Sequence, residues 1–199
     1  MPLDPVNPQA INPQAVLGFW FSDRARALWF EKDPAFDAEI RTRFGAAIDR
    51  AVAEDFADWC ADCDGALALL ILLDQMTRNI FRGDPRSFAG DPRARAVAGT
   101  AIAGGLERRL PFMRRRFFYL PYEHSEYPAD QERSLALFSG LMAEVTPEDR
   151  IEADEQLQAA QRHHEIIRLF GRFPHRNAIL GRISTPQEIS FLAGPNSSF

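Results

Sequence analysis

Apolar residues along this chain recur mostly at three- and four-residue intervals, the period of helices laid against a core. Phe36, Ile40, Phe44 and Ile48 follow Asp33-Pro34 at four-residue spacing. The aspartate suits an N-cap and the proline the first helical position, and the pattern reads on as helix to about Trp59. Asn12-Pro13 repeats the device before Val16, Leu17, Trp20 and Phe21. The run Ala66 to Leu73 is apolar all round, which predicts a central helix from Gly65 to about Phe81 with Asp64 as its cap. Leucine and alanine dominate that run and β-branched residues are sparse, so a buried strand fits less well. Asp91-Pro92 predicts another helix, ending at Gly104-Gly105. Residues 108–128 are less regular, with prolines at 111, 121 and 128. Helix resumes through Leu135, Phe138, Leu141 and Met142. Two capping-box patterns follow, Thr146 to Asp149 and Thr185 to Glu188. The first predicts a long helix stopped by Gly171, the second a short one over 186–192. No Asn-Gly or Asp-Gly hairpin sits between alternating runs. The expectation is an all-α fold: one compact stack of antiparallel helix pairs with essentially no β-sheet, residues 13–199, preceded by an extended arm over 1–12.

Composition narrows the function classes. At 199 residues, 46% hydrophobic and 26% charged, the chain can bury a sizeable core. No apolar run approaches the ~20 residues of a membrane span, and the N-terminus has no basic flank or apolar stretch of a secretory signal. A cytoplasmic location is therefore expected, with no membrane partner. A formal charge of −5 argues against general nucleic-acid binding. All the 23 basic residues except Lys32 are arginine, which reads either as codon bias or as bidentate recognition of carboxylate or phosphate.

Cys60-Ala61-Asp62-Cys63 has the spacing of a redox pair, but its acidic surroundings would raise the thiol pKa, and a zinc knuckle would need a second ligand pair nearby. Ordinary helix-end cysteines are the simpler reading, and no cofactor or metal is expected. Asp74 and Arg78 stand four apart at the end of the apolar helix, placed for an internal salt bridge or for a ligand. Glu123-His124-Ser125-Glu126 sets two carboxylates around an imidazole, which can tune it as a general acid or base. The densest group runs from His163 through Asn177. His164 and Arg168 share a helical face, and Arg172, His175, Arg176 and Arg182 continue the cationic character past the helix stop. Helix-end arginines also complement the macrodipole without further purpose.

Several of these segments carry a family resemblance. Val16-Leu17-Gly18-Phe19-Trp20-Phe21, Trp29-Phe30, Leu69 to Gln75 with Arg78-Asn79, Tyr119-Leu120-Pro121 with His124-Ser125-Glu126, Phe170 to Asn177, and Leu180-Gly181-Arg182 with Ser184-Thr185 and Glu188 resemble an uncharacterised bacterial family, domain of unknown function 924. The motifs span residues 16 to 192. Met76-Thr77 departs from the Phe-Pro more usual in that family. The resemblance implies a tetratricopeptide-like helical fold and carries over no catalytic residue. No 34-residue internal repeat is visible.

Three function classes follow. The first is a site for a small anionic metabolite, with hydrolysis of a phosphorylated or carboxylated compound as its best-fitting reaction. There Asp74, Arg78, His124, Glu126, His164, Arg168, Arg172 and His175 are expected to meet. His124, Glu126 and His175 would be the catalytic acids and bases; Asp74, Arg78, His164, Arg168, Arg172 and Arg176 would bind the ligand. The second is a structural network of buried ion pairs. The third is a helical scaffold for a peptide or protein partner, by analogy of fold.

Overall fold

The computed structural model describes residues 11–195 and 197, so the expected arm over 1–12 falls almost wholly outside the described residues. Among those described, every regular element is helical and no strand occurs, which makes the fold all-α. Within them, no helix is long and apolar enough to cross a membrane. The chain divides into two compact units, Met1–Pro121 and Tyr122–Phe199.

The first unit is built on helices α1 (Pro13–Trp20), α2 (Asp23–Arg26), α3 (Pro34–Val52), α4 (Cys63–Leu70), α5 (Thr77–Ile80) and α6 (Asp91–Ala103). Asn12 and Asp33 cap α1 and α3 as their sequence implies, each side chain accepting from backbone N–H groups of the first turn. Phe36, Ile40, Phe44 and Ile48 are buried along one stripe of α3. Trp20 and Trp29 stack at 5.9 Å, with the Phe117 ring edge-on to both, and the Trp29 indole N–H donates to the Trp20 carbonyl at 2.9 Å. These rings are a large share of the core.

Three boundaries differ from the sequence expectation. Helix α3 stops at Val52 rather than Trp59, because Glu54 and Phe56 take left-handed backbone (φ 71° and 65°), after which Ala57–Ala61 form a 3-10 turn. Asp62, not Asp64, caps α4, accepting from Gly65 N at 2.8 Å. Between α4 and α5 the same helical run widens into a π-segment, Ile71–Met76. The Thr77 hydroxyl then donates to the Leu72 carbonyl, five residues back, at 2.7 Å. Gly90, before α6, lies so close to the Leu73 carbonyl that no Cβ fits between them. The irregular stretch proves to contain helix α7 (Phe112–Glu123), with Pro121 in its last turn. A proline there removes one intrahelical bond close to the point where the helix ends anyway.

The second unit begins with the last two residues of α7, Tyr122 and Glu123. Helices α8 (Pro128–Met142) and α9 (Arg150–Phe170) pack along each other across a short connection. Their buried positions are unusually polar: Gln131 and Ser134 beside Phe138 and Leu141 on α8, and Gln156 and His163 beside Ala153, Ala160, Ile166 and Ile167 on α9. The expected box at Thr146 does not open α9. The helix starts at Arg150, and the Thr146 hydroxyl meets the Asp149 side chain at 3.4 Å. Gly171, at φ 68°, ends α9 in a left-handed cap with its N–H on the Ile167 carbonyl. A 3-10 turn (Pro174–Arg176) and helix α10 (Pro186–Leu192) complete the unit, and Thr185–Glu188 form a full capping box.

Candidate functional site

Helix α7 ends at Glu123, and His124 follows in a turn instead of taking a further face of the helix. Buried Gln131 fixes this exit. Its amide Nε2 lies within hydrogen-bond reach of three carbonyls, Tyr122 at 3.3 Å, Glu123 at 2.7 Å and Ser125 at 2.6 Å. Carbonyls at a helix end need such partners when they are buried. The next residues are pinned as well: the Ser125 hydroxyl donates to Asp130 at 2.6 Å and accepts the Tyr127 N–H.

Into this turn α9 brings His163, which is 6% exposed. Its Nδ1 lies 2.9 Å from the Ala159 carbonyl and 3.3 Å from Glu123 Oε1. Two oxygens facing one ring nitrogen require a proton on it, so Nδ1 is the N–H and Nε2 carries the lone pair. Burial, reinforced by His124, Arg176 and His175, drives the His163 pKa down to about 3 against the bond from Ala159, and the imidazole is neutral over the whole physiological range. The ring of His124 lies 6.1 Å from that of His163, Phe173 stands edge-on to His163 at 5.5 Å, and His175 lies 5.7 Å from Phe173. Arg176 covers Phe173 at 4.5 Å. Glu123 and His163 are buried, whereas His124 and His175 are partly exposed. One donor atom each from Glu123, His124 and His163 lies within 4.8 Å of the others.

The remaining polar residues of the unit form paired supports. Arg182 grips Glu126 with two nitrogens (2.6 and 2.9 Å), while Glu126 also accepts the Phe173 N–H at 2.8 Å. Burial pushes the Glu126 carboxyl up, but Arg182 and the Phe173 N–H outweigh it and hold it below its ordinary value. Arg172 makes the same fork on Glu188 (2.6 and 2.8 Å), and these bonds, aided by the Thr185 N–H and Asn177, draw Glu188 down to about 2. Arg182 further reaches Asn177, which donates to Ser184. The segment from Phe170 to Glu188 is thus tied down by charge-assisted hydrogen bonds.

Of the residues singled out from sequence, His124, His175 and Arg176 lie around His163 and Phe173. Glu126 and Arg172 belong to the supports just described. Arg168 pairs with Glu165 on an exposed face of α9, and His164, one position round the helix from His163, is only partly buried. Asp74 and Arg78 belong to the first unit. There the π-segment and α5 carry them, and Arg78 bridges Asp74 at 3.1 Å and Asp91 at 2.9 Å, with both acids buried. Burial disfavours the Arg78 charge, yet the two carboxylates raise its pKa. Cys60 and Cys63 are free thiols, and burial pushes Cys60 up rather than down.

Sequence reasoning missed Gln131 and chose His164 over His163. A signal for His163 existed: counting back from Ile167 by four and seven gives His163 and Ala160, the buried stripe of α9. Nothing local marks Gln131, whose partners are six to nine residues away.

A comparison with curated proteins finds no match. Among solved structures the chain is similar to a protein of unknown function, ATU0120, from Agrobacterium tumefaciens. The two share 37% identity over 90% of this chain and 96% of that one, with a TM-score of 0.81. Residues 16–196 match the family model described as a bacterial protein of unknown function, DUF924. The motifs that anticipated this family run almost the whole length of that match, and the chain belongs to it.

Proposed function

We propose that the second unit binds a small anionic ligand, a carboxylate or phosphate compound, at the histidine and arginine cluster around His163 and Phe173. The grouping of His124, His163, His175 and Arg176 through ring contacts of 4.5 to 6.1 Å is the observation that supports it. Glu126 and Glu188 are each held by an arginine fork, from Arg182 and Arg172, which keeps the Phe173 turn beside this cluster in place. The partly exposed rings of His124 and His175 give a ligand its approach. In a hydrolytic reaction His124 or His175 would serve as acid or base and Arg176 would hold the anionic group, while Glu126 keeps Arg182 and the Phe173 turn in place.

Calorimetric titration with inorganic phosphate and with succinate, in chelator-treated buffer at neutral pH, tests this reading. The wild type is expected to bind one of them, and His175→Ala to weaken that binding at least about tenfold, the loss of roughly 1.4 kcal/mol. Arg168→Ala, on the exposed face of α9, should bind like the wild type. A wild type that binds neither anion, or a His175→Ala variant that binds as well as its parent, contradicts the proposal.

A further inference from the structure

We infer that Glu123, His124 and His163 form a binding site for one divalent transition-metal ion of the Zn²⁺ type. This goes beyond the anion reading and stands or falls without it.

The donors are one carboxylate and two imidazoles, with one atom from each inside 4.8 Å. Four-coordinate zinc, with bonds of about 2.0–2.2 Å, places neighbouring donors roughly 3.2–3.6 Å apart. Donors as far apart as 4.8 Å have to draw together, and the partly exposed position of His124 lets its ring supply part of the movement. Mixed nitrogen and oxygen donors select zinc and its first-row neighbours over magnesium and calcium, which take oxygen ligands. Three protein ligands also leave an ion one open position for water or a ligand atom, and His124 is on the exposed side of the set.

The surroundings are arranged as metal sites require. Imidazole ligands generally donate their second nitrogen to a carbonyl or carboxylate, which fixes the tautomer and aims the lone pair. His163 has such a bond, from Nδ1 to the Ala159 carbonyl, which leaves Nε2 as its ligand atom, and Glu123, 3.3 Å from Nδ1, has to turn from that nitrogen to the ion. Gln131 gathers the backbone carbonyls of Tyr122, Glu123 and Ser125, so the turn that carries Glu123 and His124 is held before an ion arrives.

The experiment uses the untagged full chain, reduced and stripped with chelator, in buffer without phosphate or carboxylates. ZnCl₂ is titrated by calorimetry, and CoCl₂ by its visible absorption. One equivalent of each ion is expected, with no competition from MgCl₂. Removing an outer-sphere partner typically costs about 10–100-fold in affinity, so His124→Ala, which deletes a ligand at a partly exposed position, should weaken Zn²⁺ binding at least about 100-fold and abolish the cobalt band. Glu123→Gln should weaken it as well, while the Cys60→Ser/Cys63→Ser double variant keeps wild-type affinity. Circular dichroism checks that each variant is folded. No stoichiometric zinc, unchanged affinity in His124→Ala, or loss of binding in the cysteine variant would overturn the inference. Because neither phosphate nor carboxylate is present, failure of the anion titrations leaves this result untouched, and the reverse holds too.

Discussion

Glu188 shows most plainly what single residues contribute. It is 2% exposed, closes the capping box of α10, and takes both prongs of Arg172. Its pKa falls from an ordinary 4.5 to about 2 on folding, so its contribution to stability is complete above pH 4.5 and is lost as pH falls towards 2. Glu126, also held low, acts in the same direction. Hydrogen bonds to charged groups are worth about 1.5–3 kcal/mol, and Glu188→Gln is expected to cost about that much at neutral pH. The variant should also show a shallower fall in stability between pH 4.5 and 2 than the wild type. Urea unfolding at a series of pH values measures both, and parallel curves for the two proteins would refute the role given to this pair. The capping box itself was legible because its two members stand three apart. The Arg172–Glu188 fork, 16 residues apart, and Arg182–Glu126, 56 apart, were not, because only tertiary folding selects which acid meets which arginine.

Helices were legible wherever a cap and a periodic apolar stripe coincided, as in α1, α3 and α10. Interruptions were not. The π-segment begins inside an unbroken apolar run, and no residue in it announces the extra backbone width; the close seat of Gly90 on the Leu73 carbonyl is a tertiary consequence. Gly90→Ala would force that contact apart and should destabilise the protein by about 1–3 kcal/mol, the usual cost of overpacking. Gly18→Ala makes the contrast. That glycine is helical, exposed and has open space around its Cα, so alanine should stabilise by about 0.5–1 kcal/mol. Thermal unfolding of the two variants checks this, and a neutral Gly90→Ala would mean that α6 does not seat on the π-segment as described. In α8 and α9 the core-facing stripe was obscured for a different reason. Its N-terminal part on α8 and its middle on α9 are lined by glutamine, serine, alanine and histidine, which a search for large apolar residues passes over.

Across the whole molecule the all-α class and the family were readable from the sequence, since both rest on local periodicity and long motifs. The second unit's candidate chemistry was readable only in outline. The sequence marks the segments around His124 and from His163 to Asn177, while Arg168, Arg172 and Arg182 are engaged by glutamates, and the histidine that faces the turn is His163 rather than His164. A polar stripe inside a helix pair costs stability unless each group finds a partner, and Gln131 and His163 join Glu123 in one arrangement in which each has a partner. Its purpose, in the reading given above, is to gather Glu123, His124 and His163 around an ion. Crystals grown with ZnCl₂ in buffer without phosphate or carboxylates, with diffraction recorded on both sides of the zinc absorption edge, would show that ion or its absence. One strong anomalous peak bonded to those three side chains is expected, with the ion's open position on the side of His124. A peak at Cys60 and Cys63, or none beside His163, would rule the assignment out.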